Sequence, residues 1–237
     1  MNIAIHQPNF IPWIGYFMKI ASSHRFVFHD NVEYTKSGFT RRTRIFASHT
    51  PEHTQWLTVP LRKHSDSSLI KDLEVSQDKK WIMDHLQKIK AQYSKTEYFT
   101  DIFPVIRDLY AGAENEISLS KLNMNMVKKL AIYFGIQAEF FISSELPVSG
   151  KSGVYNLNLA KHLGGTAYIS GKGGQNYQDN LIFAENDITL ENRNFQIEAE
   201  NMIITKGMPP FNTGLSILHA LMVAGPENTS KLIHQLK

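Results

Sequence analysis

The run Asn2-Ile3-Ala4-Ile5 places apolar side chains on both sides of a would-be strand and stops abruptly at His6-Gln7-Pro8-Asn9. A second such run, Phe26-Val27-Phe28 within Arg25 to His29, follows one helix-length later and ends at Asp30-Asn31. Strands without polar alternation are buried on both faces, as in the parallel sheets of α/β folds. Between them Trp13, Phe17, Ile20 and Ala21 recur at helical spacing, with Ile14 beside them. Pro8 and Pro12 fence off a loop, since proline cannot continue a central strand. The unit therefore reads as strand, loop, helix and second parallel strand, a crossover that is nearly always right-handed. In such folds ligands sit beyond the carboxyl ends of the strands, so the polar residues found there are the first functional candidates.

The remaining pattern fits the same class. Arg44-Ile45-Phe46-Ala47 and Trp56-Leu57-Thr58-Val59 flank a turn-rich stretch, Ser48 to Thr54 with Pro51, and predict a β-hairpin. Leu69 to Val75 reads as one more strand. Lys79 to Tyr93, Tyr98 to Tyr110 and Leu119 to Phe134 show helical period. Ser118 or Ser120 suits the cap of the last of these, and Gly135 its stop. Ala138 to Ser143 predicts a strand, Asn156 to Leu163 a helix stopped by Gly164-Gly165, and Thr166 to Ser170 a strand entering Gly171-Lys172-Gly173-Gly174. Ile188-Thr189-Leu190 and Phe195-Gln196-Ile197 read as late strands. Leu215 to Val223 and Glu227 to Leu236 read as closing helices. The expected architecture is α/β and Rossmann-like: a mostly parallel sheet with flanking helices, a helical insertion and a hairpin. Residues 1–237 read as a single domain in which 79–134 is a helical subdomain.

Composition narrows the function classes. No apolar run approaches the roughly 18 residues that cross a bilayer, so no membrane insertion is expected. The amino terminus enters its strand without a basic segment, unlike a signal peptide. The chain has no cysteine, which removes disulfides and thiolate metal sites and suits a cytoplasmic location. The histidines are scattered, without His-Glu-x-x-His or a comparable pair, and no metal site is expected. A net charge of +3 does not by itself indicate nucleic acid.

Five groups of residues are candidates for chemistry. His6 and Gln7 follow the first strand directly, and His6 suits a general base because histidine titrates near neutrality. Trp13, Gly15 and Tyr16 open the first helix, where free backbone N–H groups favour an anion and a glycine admits close approach of a ligand or another helix. Asp30 ends the second strand and could hold a ribose or sugar hydroxyl, polarise His6, bind a metal or cap the next turn. Lys36, Arg41, Arg42 and Arg44 fall in an acid-free segment with Phe39 between them, suited to a phosphate or nucleic-acid backbone. Ser170, Gly171, Gly173, Gly174 and Tyr177 form a glycine-rich loop after a strand, whose amides could nest an anion while Tyr177 stacks on a base or sugar. That loop lacks the spacing of a Walker A motif, and no Gly-x-Ser-x-Gly elbow is present. Ser216, at a helix start, reads as a cap or ligand contact.

The chain resembles the WbqC-like family. The likeness is carried by His6-Gln7-Pro8, Pro12-Trp13-Ile14-Gly15-Tyr16, Lys19-Ile20-Ala21, Phe26-Val27-Phe28-His29-Asp30 and the segment from Lys36 to Arg44. Further matches are Gln55 to Pro60, Tyr168-Ile169-Ser170-Gly171 with Gly173, Gly174 and Tyr177, and Leu215-Ser216-Ile217-Leu218. Arg41 stands where the family commonly has asparagine, and His219 where an acid often follows. The resemblance implies a part in making surface polysaccharide such as O-antigen, with nucleotide-linked sugars or an activated donor as small-molecule partners. The leading expectation is a transferase that modifies an amino sugar by acyl or aminoacyl transfer to an amine. In that scheme His6 takes the proton, Asp30 orients it, and the cations and glycine-rich loop grip the ends of the substrate. A second reading is nucleotidyl or adenylyl transfer. The helix start is similar to a nucleotidylyltransferase His-x-Gly-His motif, but Trp13 and Tyr16 stand at its histidine positions. A third is a non-catalytic binder of nucleotide sugar or charged tRNA. No cofactor, sugar identity or oligomeric state follows from the residues.

Overall fold

A computed structural model describes residues 1–47, 53–177 and 179–235, and in 175–177 the backbone alone. Among the described residues five strands form one parallel sheet: β1 (Asn2–His6), β2 (Arg25–Phe28), β5 (Glu139–Ile142), β6 (Ala167–Gly171) and β7 (Thr189–Arg193), in the order β5-β2-β1-β6-β7. The hairpin pairs β3 (Arg42–Phe46) antiparallel with β4 (Thr54–Thr58), its expected turn lying largely outside the described residues. The helices are α1 (Ile14–Ala21), α2 (Lys80–Tyr93), α3 (Phe99–Ala111), α4 (Leu119–Tyr133), α5 (Ser152–His162), α6 (Asn180–Ala184), α7 (Phe195–Thr205), α8 (Ile217–Val223) and α9 (Gly225–His234). This is the α/β, Rossmann-like arrangement with a hairpin that the sequence predicts.

The apolar strands are explained by what covers each face. Side chains alternate across a strand. Ile3, Ile5, Val27 and Tyr168 therefore meet the buried residues of α5 and α6, such as Leu159 and Phe183. Ala4, Phe26, Phe28 and Ile169 face the other way, into a larger cluster with α1, α4, α8 and α9. The helices α2 to α4 contribute Ile89, Ile106 and Val127 to that larger cluster. Ser118 caps α4 by accepting from the Lys121 N–H. Gly135 and Gly164 end α4 and α5 in the left-handed conformation, at φ +69° and +66°.

Two segments differ from the sequence reading. Phe195-Gln196-Ile197 begins α7 instead of forming a strand, capped by Asn194 Oδ1, which accepts from the Ile197 N–H. Leu69 to Val75 forms a short 3-10 turn at Ile70–Asp72, flanked by single bridges to Glu33 and Leu61. No helix among the described residues is long and apolar enough to cross a membrane.

Candidate functional site

The chain runs outward from β1 through β2 to β5, then returns across β1 to build β6 and β7 on its other side. The topological switch point is therefore the crevice between the carboxyl ends of β1 and β6, where open α/β sheets bind their ligands. His6 ends one strand and Gly171 the other, and a cavity of about 350 Å³ opens between them. Its wall comes from His6 and Gln7, from Lys19 of α1, from His29 beyond β2, from Ser152 and Asn156 of α5, and from Ser170, Gly171, Gly173 and Gly174.

The hydrogen bonds fix the state of His6. Its Nδ1 lies 3.1 Å from the Gln7 carbonyl, which can only accept, so Nδ1 carries the proton and Nε2 keeps the lone pair. Tyr16 donates to the same carbonyl at 2.9 Å, and its ring meets the imidazole edge-on with centroids 4.7 Å apart. Burial, reinforced by nearby Lys19, holds His6 down to about 3, so the ring is neutral at pH 7.

Lys19 is the least expected wall residue. It is buried, and its Nζ donates to the Ile5 carbonyl at 2.8 Å, one acceptor for a group with three donors. Burial pushes its pKa down to about 7. Burial likewise pushes His29 down to about 4 against the pull of Asp30, and His29 Nε2 is buried without a hydrogen-bond partner. Asn156 Oδ1 is also buried and unpaired. Buried polar atoms are nearly always bonded, so two orphans on one cavity wall point to a ligand-binding surface. Ser152 begins α5 at φ 50°, and no side chain caps that helix, so its positive end faces the cavity uncapped. Among the described residues no carboxylate lines the cavity.

The other predicted residues lie elsewhere. Asp30 is buried, and its carboxylate accepts from the Ser144 N–H and from the hydroxyls of Ser143 and Ser144. It caps the turn after β5 and makes no bond to His6, whose ring is oriented by the Gln7 carbonyl instead. The space beside Gly15 is filled by the Trp13 indole, whose ring would lie 2.1 Å from an added Cβ, and not by a ligand. Tyr16 lies beneath His6. Lys36 pairs with Asp66 at 2.6 Å on the surface. Arg42 donates to the carbonyls of Ser37 and Gly38 and stacks on Trp56 at 4.1 Å. Arg44 and Trp13 line a recess of about 200 Å³ beside Ser216, and Arg44 Nε is buried without a partner. The basic segment and the glycine-rich loop thus do not converge on one cavity. Gly171 and Gly173 do line it, with open space where a Cβ would stand. The expected stacking by the Tyr177 side chain lies outside the described residues. Ser216 Oγ donates to the Ile11 carbonyl and accepts from the Leu218 N–H as the cap of α8.

Sequence reasoning singled out none of Lys19, His29, Ser152 and Asn156. The signal for Lys19 was present: it is the one charged residue in a helix otherwise built of apolar side chains, glycine and tyrosine, which leaves it no polar face. Among the described residues no group of three histidine or acidic side chains is placed to hold a metal ion.

Comparison with known proteins places these observations. The WbqC-like protein family matches residues 7–231. An uncharacterized protein of Mycobacterium tuberculosis is 28% identical over 227 residues, covering 95% of each chain. No solved structure matches the chain significantly.

Proposed function

The chain belongs to the WbqC-like protein family, and on that premise we propose that it is a transferase acting on a phosphate-bearing, nucleotide-linked amino sugar. The observation that supports this most is the composition of the switch-point cavity. Among the described residues one buried lysine, half-protonated near pH 7, two histidines and an uncapped helix start face it, and no carboxylate does. Such a wall favours an anion, and a phosphate would supply acceptors for the Lys19 donors that the Ile5 carbonyl leaves unmatched. Lys19 takes the gripping role that the sequence suggests for Lys36, Arg42 and Arg44.

His6 then serves as the base. The sugar amine attacks the carbonyl carbon of an activated acyl or aminoacyl donor. A C–N bond forms, the bond from that carbon to the leaving group breaks, and the amine proton passes to His6 Nε2 and on to the leaving group. An anion beside His6 raises its basicity from the low value that burial and Lys19 impose. The donor is a thioester or a charged tRNA.

Thermal-shift titration with nucleotide-linked amino sugars tests the reading, followed by turnover with acyl-CoA and with aminoacyl-tRNA as separate donor arms. A ligand that binds the folded state raises the melting temperature by mass action. The expected result is a shift that Lys19→Met abolishes, with product formation lost in His6→Ala. No shift with any nucleotide sugar, or wild-type turnover by a folded His6→Ala, would overturn the assignment.

A further inference from the structure

A second, larger cavity of about 530 Å³ lies between β3, the end of α2, the segment 210–212 and α8, and shares no wall residue with the first. Phe46, Tyr93, Phe211 and Val223 make it largely apolar. One polar ring stands among them. His219 packs nearly parallel to Phe46, with an interplanar angle of 22° and centroids 6.1 Å apart, and Phe211 meets it edge-on at 67°.

The hydrogen bonds behind that ring favour one tautomer of it. The Phe46 N–H donates to Tyr93 Oη at 3.1 Å, and Tyr93 Oη lies 3.2 Å from His219 Nδ1. The hydroxyl accepts from Phe46, and among the described residues the acceptor recorded for its own proton is Nδ1, so the arrangement that leaves the buried phenol proton bonded has Tyr93 donating to Nδ1. Burial holds His219 down to about 4, so the ring carries a single proton at pH 7. Nδ1 accepts, so that proton sits on Nε2, the nitrogen left for the cavity. The relay from backbone amide through phenol to imidazole thus fixes a hydrogen-bond donor among aromatic walls. Binding sites of this size combine apolar walls with a few fixed polar groups that orient the ligand.

We propose that this cavity binds a small aryl or acyl group bearing a carbonyl oxygen, which accepts from His219 Nε2–H while its apolar body lies among Phe46, Phe211 and Val223. The inference is independent of the transferase reading, because its test uses no turnover and no residue of the switch-point cavity.

Nitrogen-labelled histidine NMR on the intact chain tests it, with acetophenone and its carbonyl-free isostere α-methylstyrene as probes. The free protein is expected to show His219 with a pyridine-type Nδ1 and a pyrrole-type Nε2. Acetophenone is expected to move the Nε2 signal and to bind about tenfold tighter than α-methylstyrene, the worth of one net hydrogen bond. In His219→Phe that preference is expected to vanish while α-methylstyrene still binds. A protonated Nδ1 in the free protein, equal affinity for the two probes, or binding of neither would overturn the proposal. The tautomer and the probe preference are read on the wild type, so they stand even where the variant fails to fold.

Discussion

Lys19 is the charge-bearing side chain of the switch-point cavity, and its amine is out of water with one carbonyl to receive it. The displacement of its pKa from the ordinary 10.5 to about 7 corresponds to roughly 5 kcal/mol of penalty on the charged form. The sign follows from proton counts. Between pH 7 and 10.5 the unfolded chain binds the Lys19 proton and the native chain does not, so stability rises with pH across that window. Below about pH 7 both states hold it and the penalty is complete. Lys19→Met, which keeps the chain volume without the charge, is therefore expected to be more stable than wild type at about pH 6, by several kcal/mol. The gap should close as pH rises toward 10.5. Urea denaturation of both proteins across that range measures it. A wild type that is the more stable at low pH, or a gap that does not change with pH, would show that the lysine is solvated.

At the scale of elements, α1 begins with an unusual packing: the Trp13 indole folds over the first turn into the space a Cβ at Gly15 would occupy. Alanine favours a helix over glycine by about 1 kcal/mol, but here it must drive the indole out of its place, an overpacking cost of typically 1–3 kcal/mol. Gly15→Ala is expected to destabilise the wild type and to stabilise a Trp13→Ala background, where the obstruction is gone. Chemical denaturation of the four proteins in that cycle reads the sign directly; the same sign in both backgrounds would refute the packing account. The elements themselves were legible wherever burial imposes a pattern. Strands β1 and β2 are apolar on both faces because helices cover both, and that is visible in Ile3-Ala4-Ile5 and Phe26-Val27-Phe28. The start of α7 was not, because Phe195-Gln196-Ile197 alternates like a strand for three residues. The four-residue spacing of Phe195, Ala199 and Ile203 and the Asn194 cap carry the helical signal. The site divides the same way. His6 and Ser170 lie at the carboxyl ends of β1 and β6, where topology alone sends polar residues to the crevice. Lys19 and Asn156 lie on helices, and which of their faces meets the cavity is settled by docking onto the sheet.

Across the whole molecule, four histidines among the described residues are held neutral by desolvation, His85 and His219 buried and His6 and His29 half-buried, and they sit at joints between elements. His85 bonds the Tyr110 hydroxyl at 3.1 Å and the Thr58 carbonyl at 3.2 Å, tying α2 to α3 and the hairpin. His219 ties α8 through Tyr93 to α2 and β3. His6 and His29 line the switch-point cavity. Burial is the leading cause in each: it lowers His6 to about 3 and His29, His85 and His219 to about 4. Each folded value lies below the unfolded one, 6.5, so between 6.5 and about 4 the unfolded chain binds protons that the native chain refuses. Stability is therefore lost as pH falls through that window, at up to about 1.4 kcal/mol per pH unit for each ring. Lys19 is protonated in both states there and adds nothing to the slope. Calorimetric unfolding near pH 5.5, in buffers of different ionisation enthalpy, counts the protons taken up. Four such rings predict an uptake of about three and a half. An uptake below about two would mean that half of them are already charged in the native protein. In that event the neutral His6 required of a base at the switch point, and the single-proton His219 required of a donor in the second cavity, would both have to be tested ring by ring.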